Sequence, residues 1–342
     1  LESINDGDKF LRTAEYAAGK KPVVIMKAGT TAAGAQAASS HTGSLAGADI
    51  AYGAAFRRSG VIRAESLDML FDYAMAFAMQ PVPKGPRITV ITNAGGPGIM
   101  AADAAENMGL QMVAPSDAAR EKLAEALPST AALGNPVDVI GDADPERYVK
   151  AFKILQDDEN TDMILVLLTP QNMTAPLEVA ERLAAAHKGE KPLFTAFIGG
   201  GEVEPARERL MALNIPSYAA PARAVAAAKA MCDYGAWLNR PPRIVARFPV
   251  NRRRVDRVIR WHERSKRARV GEVEAKEILE AYDFNVLPGR LCITAEEAVD
   301  TAERIGYPVV MKIVSPDIVH KSDVGGVRVN LANAEQVRDA FD

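Results

Sequence analysis

The sequence predicts an α/β protein whose parallel sheets are covered by helices, and two observations carry that expectation. Short apolar runs recur with helical segments between them, the alternation that buries a parallel sheet on both faces. Two of the runs, "VVIMKAGTTAAGAQAA" from Val23 and "ITVITNAGGPGIMAADAAE" from Ile88, each pass from strand through a glycine-containing turn into an alanine-rich helix. They read either as corresponding elements of two similar domains or as two instances of the shared βα design.

Taken in order, the expected strands are "PVVIMKA" from Pro22, "RITVIT" from Arg87, "LQMVA" from Leu110, "DMILVLL" from Asp162, "PLFTAFI" from Pro192 and "YPVVMKI" from Tyr307. Proline-rich joints separate them into larger pieces, because proline and the residue before it resist helix and sheet alike. "QPVPKGP", Gln80 to Pro86, closes a helix rich in Met and Ala, and "NRPPRIVARFPVNRRR", Asn239 to Arg254, closes the next piece. The expected division is residues 1–82, 83–240, an Arg-rich linker over 241–265, and 266–342. The arginines Arg252, Arg253, Arg254, Arg257 and Arg260 are interspersed with acids such as Asp256 and Glu263, which favours a solvated linker or helix face over a phosphate patch.

With 48% hydrophobic and 25% charged residues in 342, the chain can build two or three ordinary cores. The net charge of -3 favours neither nucleic acid nor an anionic membrane, so an acidic ligand needs local positive sites. Cys232 and Cys292 lie far apart without metal-ligand spacing and read as reduced structural thiols of a cytoplasmic protein. No apolar run approaches a membrane span, and "LESINDGDKF" is no signal peptide. The chain starts without methionine and ends in a helical pattern at "EQVRDAFD", so a piece of a longer polypeptide is expected.

Four features bear on chemistry. "SSHTGSLAGAD", Ser39 to Asp49, surrounds His41 with small residues that pack little and bend easily. The imidazole is presented rather than packed there, and a neutral imidazole is a competent nucleophile toward phosphorus. In "TNAGGPGIMAADAAE", Gly95, Gly96 and Gly98 stand between a strand and a helix, where free backbone N–H groups and the helix dipole favour an anion. No Gly-Lys-Ser or Gly-Lys-Thr follows, so this is not a Walker motif. "GNPVDV" holds Asn135 and Asp138 at a loop end of an α/β domain, where ligands collect. "MKIVSPDIVHKSDVGGV" joins the strand-borne Lys312 to His320, Lys321, Asp323 and a Gly-Gly turn, which reads either as a phosphate-handling loop or as a charged hairpin.

Together, "KPVVIMKAG…SSHTGSLAGAD", "ITNAGGPGI", "GNPVDV" and "GYPVVMKIVSPDIVHKSDVGGV" resemble, in this order, the NDP-forming acyl-CoA synthetases, relatives of succinyl-CoA synthetase. The resemblance covers nearly the whole chain. It implies flavodoxin-like, succinyl-CoA synthetase-like domains followed by the start of an ATP-grasp domain, with the phosphohistidine loop in the first. It also implies an acid–CoA ligase that interconverts acyl-CoA, ADP and phosphate with carboxylic acid, CoA and ATP. His41 matches the histidine that takes the phosphoryl group, and a loop of small residues suits a side chain that must visit two sites. Glu2 matches the carboxylate that holds it; a carboxylate accepting Nδ1–H leaves Nε2 as the nucleophile. The resemblance places Gly95, Gly96 and Gly98 at a helix N-terminus facing the phosphoryl group and His320 in the role of an intermediate phosphate acceptor. Lys312 and Lys321 fall at the nucleotide end. CoA and Mg²⁺ are implied too, with their sites mostly outside this chain, and no metal ligand is assigned within it. A homo-oligomer is expected, and no nucleic-acid or membrane partner. The alternative is a protein lysine acetyltransferase whose synthetase-like region is regulatory.

Overall fold

The computed structural model describes residues 1–31, 33–34, 49–241, 250–267, 269–315, 318 and 321–342. They divide into two compact units, Leu1–Pro241 and Pro242–Asp342.

The first unit opens with α1 (Gly7–Ala18), β1 (Val24–Met26), α2 (Asp49–Ser59), β2 (Ile62–Ala64) and α3 (Leu67–Met79). β1 and β2 pair in parallel, Val24 opposite Ile62. The chain start runs beside β1, for the Leu1 amine donates to Met26 O at 2.9 Å and Ala28 N donates to Leu1 O at 2.9 Å. Helix starts are fixed by short polar side chains, as expected of N-caps: Asp6 accepts from Lys9 N and Ser66 from Met69 N.

Next come β3 (Ile88–Thr92), α4 (Gly95–Asn107), α5 (Asp117–Ala126), β4 (Val137–Asp138), α6 (Pro145–Gln156), β5 (Met163–Leu168), α7 (Pro176–Ala186), β6 (Leu193–Phe197), α8 (Glu204–Ala212) and α9 (Pro221–Leu238). The four strands form one parallel sheet in the order β4-β3-β5-β6. Every residue of β3, β5 and β6 is buried, which is why these strands read as unbroken apolar runs. Successive side chains of a strand point to opposite faces. Ile164, Val166 and Leu168 therefore join Tyr148, Phe152 and Leu183 in one core, while Met163, Leu165 and Leu167 join Ala101, Ala105, Val225 and Met231 in the other.

That second core continues into Ala64, Tyr73 and Ala76, so residues on both sides of the joint at 80–86 share one apolar interior. Polar ties follow the same path: Gln80 Nε2 donates to Asn214 O at 2.7 Å, Gln80 Oε1 accepts from Leu193 N at 2.8 Å, and Tyr234 OH donates to Ala18 O at 2.7 Å.

The expected strand at Leu110–Ala114 is reduced to one isolated bridge between Arg87 and Gln111. Beyond it the Asn135 side chain occupies the space a strand would need: its Nδ2 donates to both Ile88 O (2.7 Å) and Val113 O (3.0 Å).

The second unit contains α10 (Arg252–Arg264), α11 (Glu272–Ala281), α12 (Ala295–Ile305), β7 (Val309–Lys312), β8 (Val327–Leu331) and α13 (Ala334–Phe341). The Arg-rich segment is helical from Arg252 and is tied to α11, with Arg254 Nε 3.0 Å from Glu277 Oε1 and Arg254 NH2 3.0 Å from Glu280 Oε2. β7 pairs antiparallel with β8. The apolar run from Tyr307 thus departs from the parallel pattern expected of it, since an antiparallel pair needs no crossover helix. Its turn relies on Gly326, where a Cβ would stand 2.3 Å from Ile313 Cδ1.

Candidate functional site

The carboxyl edge of the four-stranded sheet holds three sequence-predicted features together. β3 ends at Thr92, whose hydroxyl donates to Ala94 O at 2.8 Å. Asn93, buried, clamps the neighbouring strand end: its Oδ1 accepts from Thr169 N at 2.9 Å and its Nδ2 donates to Thr169 O at 2.8 Å. The chain leaves β3 for β4 on one side and reaches β5 on the other, so Asn93 stands at the switch point where ligands of such sheets bind.

From there α4 starts without a side-chain cap and with no acidic residue in its first turn. The amides of Gly95 and Gly96 precede the first intrahelical hydrogen bond, Gly98 N to Ala94 O at 3.3 Å, and Pro97 has no N–H. Around Gly95 and Gly96 a Cβ would meet nothing within 4 Å. Two exposed amides with the positive end of the helix dipole behind them can take an anion.

Gly98 and Asn135 stand differently from what the sequence suggests. The Gly98 amide is used within the helix, and a Cβ there would lie 3.1 Å from Thr92 Cγ2 and 3.5 Å from Pro136 Cγ. Close packing against Thr92 and Pro136 is thus what requires a glycine at this position. Asn135 spends its amide on backbone, accepting from Val90 N at 3.0 Å and donating to Ile88 O and Val113 O. That leaves no donor hydrogen of the Asn135 side chain for an anion. Asp138 stays at the edge, opposite Thr92 in the sheet register, with Oδ1 accepting from Ile140 N at 2.8 Å.

At the carboxyl end of β1, Glu2 is half-buried in the segment that runs beside that strand. Lys27 follows β1 directly; it is 6% exposed, donates to Ala28 O, and places Nζ 4.7 Å from the centre of the Tyr52 ring. Tyr52 in turn accepts from Ile4 N at 3.3 Å. The sequence reading passed over Lys27, although a lysine ending an apolar strand is the same signal that singled out Lys312. His41 and His320 lie outside the described residues.

In the second unit Lys312 and Lys321 converge on one carboxylate. Lys312 Nζ is 2.9 Å from Glu272 Oε1 and Lys321 Nζ is 3.0 Å from Glu272 Oε2. The two ammonium groups hold the Glu272 carboxyl down to about 2, outweighing its partial burial. Glu272 is the residue sequence reasoning missed here, because nothing in a linear reading links it to lysines 40 and 49 positions away. Among the described residues no group of three or more His, Cys, Asp or Glu is placed to hold a metal ion, and no helix is long and apolar enough to cross a membrane.

Residues 1–77 match the succinyl-CoA ligase like flavodoxin domain, 88–238 the Ligase-CoA domain, and 262–342 the ATP-grasp domain. The ADP-forming acetate–CoA ligase I of Archaeoglobus fulgidus is 41% identical over 100% of this chain and 49% of its own length. The ADP-forming 4-hydroxybutyrate–CoA ligase of Nitrosopumilus maritimus is 36% identical, again over 100% of this chain and 49% of its own. Among solved structures, the acetyl-coenzyme A synthetase 1 of Candidatus Korarchaeum cryptofilum, in complex with phosphate and ADP, is 31% identical with a TM-score of 0.68, covering 72% of this chain and 55% of that one. The chain thus spans about half the length of the curated relatives it matches.

Proposed function

This chain belongs to the ADP-forming acyl-CoA ligase family, and from that premise we propose that it supplies the phosphohistidine relay of such a ligase. The reaction interconverts acyl-CoA, ADP and phosphate with a carboxylic acid, CoA and ATP. The observation that carries the reading is the uncapped start of α4: Gly95 and Gly96 are exposed at the switch point of a parallel sheet, their amides precede the first intrahelical hydrogen bond, and a Cβ at either would meet nothing within 4 Å.

Attack of an acyl phosphate by the nucleophilic nitrogen of His41 forms the P–N bond and releases the carboxylate. Charge on the moving phosphoryl group is the main obstacle, and preorganised donors answer it better than water does. The amides of Gly95 and Gly96 supply such donors, and Glu2 orients the imidazole by accepting from its other nitrogen. Asp138, at the same edge, is assigned to bounding the phosphate pocket.

At the nucleotide end Lys312 and Lys321 take the phosphates of ADP or ATP, as compact point charges suited to that task. His320, between them in sequence, serves as second acceptor. The nucleotide, when bound, supplies the phosphate that accepts or donates the group. No described residue is assigned to Mg²⁺ or to CoA. The free thiols of Cys232 and Cys292 agree with a reducing, cytoplasmic setting, and the proposed assembly is a homo-oligomer. The lysine acetyltransferase alternative draws no support from these relatives.

Phosphoryl labelling tests the relay. Full-length protein given γ-labelled ATP and magnesium should acquire acid-labile, base-stable label that His41→Ala reduces to the share held by His320, and that His41→Ala combined with His320→Ala abolishes. An unlabelled intact protein would sink the reading. Label retained by the double variant would move the acceptor elsewhere.

A further inference from the structure

We propose that Glu272 is a positioning residue of the nucleotide site, setting the ammonium groups of Lys312 and Lys321 side by side so that they act on one polyphosphate. The inference rests on the reading of those lysines as nucleotide-binding and adds what makes them a pair.

The backbone brings the two lysines close but does not aim them. Lys312 ends β7 and Lys321 opens the short 3-10 turn Lys321–Val324. Two hydrogen bonds close this loop, Gly326 N to Lys321 O at 2.8 Å and Ile313 N to Gly326 O at 2.9 Å. The side chains beyond are four-carbon stems with many rotamers and like charges at their tips. Left alone, the tips spread.

Glu272 prevents that. It stands in the first turn of α11, a separate element, and gives one oxygen to each lysine, at 2.9 and 3.0 Å. Each ammonium has three donors and yields one to the carboxylate, so two on each have no partner among the described residues. The Lys312 side chain is 42% exposed and that of Lys321 19%, so the face open to a ligand is chiefly that of Lys312. Lys276, 3.8 Å from Glu272 Oε1 and one turn along α11, faces the same carboxylate and keeps the cluster net positive. A net positive cluster held by an anion behind it suits the phosphates of a nucleoside diphosphate and gives nothing to adenine or ribose.

The test measures binding of ADP and of adenosine to the full-length protein by calorimetry, for wild type, Glu272→Gln, Glu272→Asp, Lys312→Met and Lys321→Met. Glu272→Gln should weaken ADP about tenfold, the size of a 1.4 kcal/mol change, and leave adenosine unchanged. Glu272→Asp, charged but one methylene short, should fall between. Equal losses for ADP and adenosine would make Glu272 merely structural and overturn the proposal. So would tighter ADP binding, which would make the carboxylate a competitor for the lysines, or no change while the lysine variants still weaken ADP. If Lys312→Met and Lys321→Met themselves leave ADP binding intact, the nucleotide reading of this cluster fails as well.

Discussion

Asn135 is bonded to Val90 as a strand neighbour would be: its side-chain Oδ1 accepts from Val90 N at 3.0 Å while its Nδ2 donates to Ile88 O at 2.7 Å. A side chain thus extends the ladder of β3 between Gln111, which accepts from Ile88 N, and β4, which pairs from Ile91 onward. Asn135→Ala would leave a strand N–H and carbonyl without partners, at about 1–3 kcal/mol. The expected outcome is a lower Tm for the transition of this unit, seen by calorimetry, with phosphate affinity unchanged. A selective loss of phosphate affinity would restore Asn135 as a ligand.

The three glycines of the β3–α4 turn should separate by role. Gly98→Ala must push its Cβ toward Thr92 Cγ2 at 3.1 Å, and crowding of this kind in a packed region costs about 1–3 kcal/mol. Gly95→Ala and Gly96→Ala meet nothing within 4 Å and should keep wild-type stability. Valine at either position should raise the KM for phosphate severalfold by covering the amides. Loss of stability at Gly95 or Gly96 without a phosphate effect would count against the proposed anion site.

Gly60 has φ of +74°, and the indole of Trp237 lies 2.3 Å from where its Cβ would be. Trp237 belongs to α9 and donates through Nε1 to Arg58 O at 3.3 Å. Gly60→Ala therefore combines left-handed strain with displacement of the indole, and about 2 kcal/mol or more should be lost. Intrinsic fluorescence of the unfolding transition would report both the stability loss and the moved tryptophan. An unchanged transition would mean that the contact yields at no cost.

Asp162 ties the start of β3 to β5 through a two-pronged pair, Arg87 Nε to Oδ2 at 2.9 Å and Arg87 NH2 to Oδ1 at 2.7 Å, with Arg87 N donating at 3.0 Å. Burial pushes this carboxyl up, but the Arg87 side chain and amide outweigh it, and the net displacement is downward. A carboxyl lowered in the folded state adds stability that is full above its unfolded value, about 3.9, and is lost as pH falls through the folded one. Asp162→Asn should thus be less stable than wild type at neutral pH and show a flatter decline below about pH 4. Parallel acid-unfolding curves for the two proteins would refute the assignment.

Much of this molecule is written locally. Apolar runs in β3, β5 and β6 are continuous because both faces are buried, so burial left its mark directly in composition. The glycine turn after Thr92 likewise announces itself, since exposed amides before a helix need small residues. Asn135 and Gly98 are ambiguous for the same reason: a turn asparagine and a loop glycine look identical in sequence whether they face a ligand or a strand. Only their neighbours, Val90, Ile88, Val113, Thr92 and Pro136, separate the two.

The sequence by itself determined the α/β class, the order of the motifs and the residue types available for phosphoryl chemistry, because periodicity and turn composition are short-range properties. Tertiary structure alone decided which of those residues meet. Glu272 joins Lys312 and Lys321 across 40 and 49 residues, and Lys27 comes to rest over Tyr52. Such pairings depend on the packing of whole elements, and an ion pair or a cation over a ring leaves no spacing in the chain from which it can be read.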